Sequence, residues 1–228
     1  MDSSPYFSSL DTARRVLNLQ AQALHAMAGA LVSSFDRAVQ TLADVSGRVI
    51  VFRMGKSGHI GRKIAATLAF TGTPAQSVHP GKASHGDLGM ISSGYAVLAL
   101  SNSGKTPELD DLVAHARRFG IPLISITGRG TSALARDADV ALVLPQAGEA
   151  CPLGLAPTTS TTMQLAMGDA LAVALLTRSP RTIGPDLLAA EALRVMNEGS
   201  ITALFVVDGA GRPLGILHVH DQLRAGVV

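Results

Sequence analysis

The sequence predicts a three-layer α/β domain with a parallel sheet, followed by a small α+β unit. Two observations carry this expectation. One is a recurring order of short β-branched run, glycine- or serine-rich turn and helix; the other is a shift in composition around Thr177 to Pro185 (TRSPRTIGP). Alternation of strands with crossover helices puts helices on both faces of a parallel sheet. The chain has 228 residues, of which 47% are hydrophobic and 16% charged, enough apolar material for a sizeable core.

The elements follow in order. Thr12 to Leu42 carries Leu17, Leu24, Met27, Leu31, Phe35 and Leu42 at mostly helical spacing, and Gly47 closes that region. Arg48 to Met54 (RVIVFRM) reads as a strand that stops at the turn Gly55-Lys56-Ser57-Gly58, with a helix through Ala69 behind it. Tyr95 to Leu100 is a buried strand, Ser101 to Thr106 (SNSGKT) a turn, and Pro107 to Phe119 a helix. Strands at Ile121 to Thr127 and Val140 to Leu144 flank a short helix at Thr131 to Arg136. Thr158 to Leu176 is a helix apolar on nearly all sides, which places it inside. Beyond the shift come a helix (Asp186 to Glu198) and a hairpin (Leu204 to Val207, Leu214 to His218). That piece is too small to bury a core alone and must dock on the main domain or on another chain. The expected division is 1–177 and 178–228.

Composition excludes several classes of function. A net charge of +2, from 19 basic and 17 acidic groups, is no nucleic-acid footprint. Aromatics at 4%, with no Trp, leave little for base stacking. A single cysteine, Cys151, allows no internal disulfide and suits a reducing compartment. No segment reads as a signal peptide, and the apolar stretch Leu165 to Leu176 is too short to span a bilayer. The expectation is a cytoplasmic protein with neither a membrane nor a nucleic acid as partner.

The chemistry concentrates in the turns after the strands, where ligands bind in open parallel sheets. A strand leading through Ser101-Asn102-Ser103-Gly104-Lys105-Thr106 into a helix aims hydroxyls and unpaired N–H groups at one spot, an anion site, with Thr106 as N-cap and Pro107 at the first helical position. Gly104-Lys105-Thr106 also ends a relaxed P-loop pattern. However, Ala99 stands inside a buried strand where the first glycine would be, and Pro107 restricts Thr106, which argues against a nucleotide-hydrolysing reading. Lys56, in the first turn, brings a point charge toward a phosphate or a developing oxyanion. Glu108 and Glu149 are candidate acid–base groups. A pair of acids beside a phosphate site suits aldose–ketose chemistry, in which a proton moves between adjacent carbons through an enediol. His79 and His85 sit in a loop that can meet sugar hydroxyls, and no clustered second Cys/His pair accompanies them.

Lys56-Ser57-Gly58-His59-Ile60-Gly61-Arg62-Lys63, His79-Pro80, His85-Gly86-Asp87-Leu88-Gly89, Ser101-Asn102-Ser103-Gly104 and Glu149-Ala150-Cys151-Pro152-Leu153-Gly154 together closely resemble the arabinose-5-phosphate isomerases of the KpsF/GutQ type. The resemblance covers most of Val45 to Leu176, the sugar-isomerase (SIS) domain with its flavodoxin-like sheet. The segment from about Pro180 to Val228 resembles the last CBS repeat of that family. The resemblance implies interconversion of D-ribulose 5-phosphate and D-arabinose 5-phosphate, a step toward Kdo in the lipopolysaccharide envelope, by a cytoplasmic homotetramer that requires no cofactor. It implies catalytic roles for Lys56, Glu108 and Glu149, phosphate contacts from Ser57, Ser101, Ser103 and Thr106, and substrate contacts from Gly72, Thr73, His79 and His85. It also implies a metal position at His79.

Two departures stand out. Lys105 occupies the place where the family usually has an acid. In addition, Leu176 runs almost directly into Thr177-Arg178-Ser179-Pro180, so a linker with a catalytic histidine and a first CBS repeat are absent. The expectation is therefore an isomerase slowed by that loss, with a non-catalytic sugar-phosphate-binding regulatory protein as the alternative.

Overall fold

The computed structural model describes residues 8–53, 58–78, 87–105, 107–178, 181–199 and 201–227. Two helices open the chain, α1 (Ser9–Gly29) and α2 (Ser33–Ala43), where the sequence suggested one continuous helical region. The break is local: the Ala30 N–H closes α1 onto the Ala26 and Met27 carbonyls, and Val32 is extended.

Five strands follow, β1 (Val49–Arg53), β2 (Ala75–Val78), β3 (Ala96–Leu100), β4 (Leu123–Thr127) and β5 (Val140–Val143). They pair in the order β2-β1-β3-β4-β5 and every pairing is parallel. The strand at Ala75–Val78 was missed from the sequence, because four residues of mixed polarity (AQSV) give too short a signal. The connections are α3 (Gly58–Phe70), a 3₁₀ turn at Asp87–Met90, α4 (Pro107–Phe119), α5 (Ala133–Asp137) and α6 (Thr159–Arg178).

Side chains of the sheet alternate between two cores, as the two-residue period requires. Val49, Val51, Leu98, Leu100, Ile124 and Ile126 pack beneath α1, α2, α3 and α6. Ile50, Phe52, Val97, Ala99 and Leu123 pack beneath α4 and α5. Because both faces are covered, β3 and β4 are buried along their whole length, as their unbroken apolar sequence implied.

The C-terminal unit is β6 (Thr182–Ile183), α7 (Ala189–Gly199), β7 (Ala203–Val207), β8 (Pro213–His218) and α8 (Val219–Arg224). Its sheet runs β6-β7-β8, parallel then antiparallel. One sheet face shelters a small core of Ile183, Ala192, Met196, Ile201 and Leu204. The α8 helix was not expected; a capping box starts it, with His218 Nδ1 accepting from the His220 N–H and Asp221 accepting from the His218 N–H. The unit docks on the main domain, where the His218 ring stacks on Phe70 at 5.3 Å between centroids and the Thr202 hydroxyl donates to the Ala69 carbonyl at 3.4 Å. A cavity of about 360 Å³ remains between them, walled by Leu42, Phe70, Leu175, Ile201, Phe205 and Ile216.

Candidate functional site

The strand order reverses direction beside β1: β2 lies on one side of it and β3 on the other. The carboxyl ends of β1 and β3 therefore bound the crevice where open parallel sheets hold ligands. The serine turn leaves β3 at this crevice. Ser101 is buried, and its hydroxyl accepts from the Gly104 N–H at 3.1 Å. Ser103 is exposed and accepts from the Lys105 N–H at 3.4 Å. Gly104 has φ +61°, and a Cβ there would stand 2.1 Å from Ser132 Oγ, so only glycine lets the turn close onto α5. The Gly128 N–H donates to the Asn102 carbonyl at 3.1 Å, which ties the turn to the end of β4. The exposed Ser103 and Lys105 thus sit on a fixed backbone shortly before α4 in the chain.

Glu149 lies in the loop between β5 and α6 and is half-buried. Its carboxylate is seated on the start of α6. Oε2 accepts from the Thr158 N–H at 2.7 Å, the Thr158 hydroxyl at 3.0 Å and the Ser160 N–H at 3.3 Å, and Oε1 accepts from the Ser160 hydroxyl. Partial burial pushes the carboxyl upward, but these four donors together outweigh it and hold it below the ordinary carboxylate range. The loop is pinned from both sides, with the Ala150 N–H on Thr158 Oγ1 at 2.8 Å and the Arg15 guanidinium of α1 on the Ala150 carbonyl at 3.0 Å. Arg15 was not singled out from the sequence; a contact across 135 positions leaves no local signal.

The α3 and α6 helices run side by side, joined by the Lys63–Asp169 ion pair and by the packing of Gly168 on Ile64. As α3 begins just past β1 and α6 begins just past the Glu149 loop, the beginnings of both helices meet the carboxyl edge of the sheet. The structure thus brings the Ser101–Lys105 turn and Glu149 to one edge. Glu108 lies in the first turn of α4 at that same edge, and its side chain is outside the described residues. Lys56, Ser57, His79, His85 and Thr106 are also outside them, and with His79 the expected metal position. Among the described residues no group of three metal-ligating side chains occurs.

Gly72 and Thr73 are not brought to this edge. They precede β2 at its amino end, beside the cavity against the C-terminal unit, roughly 15 Å of strand away. Within one chain they cannot share a ligand with the Ser101 turn. Among the described residues, no helix is long and apolar enough to cross a membrane.

Parallel order β2-β1-β3-β4-β5, a serine turn at the switch point and an appended helix–hairpin unit define a SIS domain carrying a CBS unit. Residues 41–174 match the SIS domain family and residues 172–225 the CBS domain family. Arabinose 5-phosphate isomerase KdsD of Pseudomonas aeruginosa is 35% identical over 326 aligned positions covering all of both chains. KdsD of Escherichia coli K12 is 49% identical over 176 residues, 77% of this chain and 54% of that protein. Among solved structures, an E. coli CFT073 protein in complex with A5P superposes with a TM-score of 0.72 at 36% identity, over 78% of this chain and 93% of the other. The chain belongs to the arabinose 5-phosphate isomerase family of SIS-domain proteins. Its alignment with the P. aeruginosa relative runs over 326 positions against 228 residues here, so about a hundred positions of that relative have no counterpart.

Proposed function

We propose that the chain interconverts D-ribulose 5-phosphate and D-arabinose 5-phosphate in the cytoplasm, as a homo-oligomer without a cofactor. The observation that carries this reading is the placement of the serine turn and Glu149 on one sheet edge beside the switch point. Ser101, Ser103, Ser57 and Thr106 receive the phosphate. Lys56, Glu108 and Glu149 serve the carbon end of the sugar, where a proton leaves the carbon next to the carbonyl, an enediol forms, and the proton returns to the neighbouring carbon. Lys56 stabilises the developing oxyanion. His79 and His85 meet sugar hydroxyls. Gly72 and Thr73 contribute to the site of a neighbouring copy. The SIS domain spans residues 1–177 and the CBS-like unit residues 178–228.

Loss of one acid–base residue costs about 10²–10⁴-fold in rate, so turnover slower than that of full-length relatives follows from the missing linker. A coupled assay with ribulose 5-phosphate and a panel of aldose phosphates tests the reading. Binding without any interconversion would instead favour a sugar-phosphate-binding regulator.

The oligomer has its own check. Leu214 of β8 is 60% exposed. Leu214→Lys should reduce the mass measured by light scattering, and a wild-type monomer in dilute solution would refute the oligomer.

A further inference from the structure

A carboxylate offers about four lone-pair directions, two on each oxygen. At Glu149, Oε2 faces three donors from Thr158 and Ser160 and has no room for another. Among the described residues, Oε1 meets one donor, the Ser160 hydroxyl, which leaves one direction uncommitted by them. All four donors belong to the entrance of a single helix, 20 residues long, whose N-terminal dipole favours the same negative charge. Thr158 is bound twice over, because its hydroxyl also accepts from the Ala150 N–H next to Glu149. Ser160 is 5% exposed and cannot rotate away into solvent.

From this geometry we infer that Thr158 and Ser160 are positioning residues that lock the Glu149 carboxylate onto the start of α6 and leave a single acceptor direction, on Oε1, for the substrate. The inference rests on the isomerase reading, and it specifies which oxygen works and what aims it. A carboxylate gripped in this way stays in its proton-accepting form, with its orientation set by a helix and not by a flexible loop. Substrate and carboxylate then meet without the entropy cost of ordering a free side chain.

The chain has only four glutamates, Glu108, Glu149, Glu191 and Glu198, so a ¹³C-carboxyl NMR titration resolves Glu149, assigned by the signal lost in Glu149→Gln. Ser160→Ala and Thr158→Val should each move the Glu149 midpoint upward by about one pH unit, the worth of one charge-assisted hydrogen bond. Thr158→Ser should restore it. In the isomerase assay the acid limb of the kcat profile should move in the same direction, with KM changed less than kcat. A Glu149 midpoint unmoved in folded Ser160→Ala and Thr158→Val proteins overturns the inference. The titration needs no turnover, so it decides the positioning role even if the wild-type chain proves inactive, a result that would sink the isomerase reading alone.

Discussion

Gly168 of α6 faces Ile64 of α3 so closely that a Cβ at residue 168 would stand 2.5 Å from Ile64 Cγ1 and 2.6 Å from its Cδ1. Ile64 is fully buried, so its side chain has nowhere to retreat. Alanine at position 168 gains about 1 kcal/mol in helix propensity and loses about 1–3 kcal/mol to overpacking, occasionally more. Cγ1, Cδ1 and Cγ2 of Ile64 would all lie within 2.9 Å of that Cβ, on both branches of the side chain, so overpacking wins. Gly168→Ala should lower the unfolding free energy by up to about 2 kcal/mol in urea denaturation, and a raised midpoint would contradict this packing.

The Ser101 turn depends on Gly104 in the same way, with a left-handed backbone added. A side chain there must adopt φ +61° and displace the buried Ser132, whose hydroxyl caps α5 through the Ala135 N–H at 3.3 Å. Gly104→Ala should cost about 1–3 kcal/mol in stability from the backbone strain. Calorimetry should also find arabinose 5-phosphate affinity reduced by about ten-fold or more, since ~1.4 kcal/mol of misplacement suffices for that.

The Glu149 carboxyl is held below the ordinary carboxylate range by four hydrogen bonds that together outweigh its partial burial. A depressed folded-state value means the stabilisation is complete above the unfolded-state value and is lost as pH falls through the folded one. Glu149→Gln should therefore be less stable than wild type at pH 7, and the gap between them should close on acidification below the ordinary carboxylate range. Thermal unfolding of both proteins across pH checks the sign; a gap that widens in acid refutes it.

Gln222 of α8 is 1% exposed, and among the described residues neither its Oε1 nor its Nε2 has a hydrogen-bond partner. Leaving a buried amide unsatisfied costs about 1–3 kcal/mol. Gln222→Leu should therefore stabilise the C-terminal unit and raise the thermal midpoint by about 2–4 °C or more. A lower midpoint would mean the amide is satisfied by buried water.

Much of this protein was legible along the chain. The strand–turn–helix grammar foretold the layers and the sidedness of the sheet, because periodicity and glycine placement are local properties. The serine turn between β3 and α4 was placed for the same reason. Elements with weak local signals escaped: β2 is four residues long, β6 is two, and the α1–α2 break falls in a sequence without proline. In the C-terminal unit, His218-Val219-His220-Asp221 conceals a helix start whose cap is a histidine ring nitrogen.

The sequence by itself determined the fold class, the resemblance to the isomerase family and the loss of the linker, since each rests on residue order alone. The tertiary structure decided which residues meet. It seated Glu149 on Thr158 and Ser160, tied that loop to Arg15 of α1, and put Gly72 and Thr73 at the far edge of the sheet from Ser101. The Arg15 bond to Ala150 closes across 135 positions and is set by how α1 packs on the sheet, so no local pattern records it.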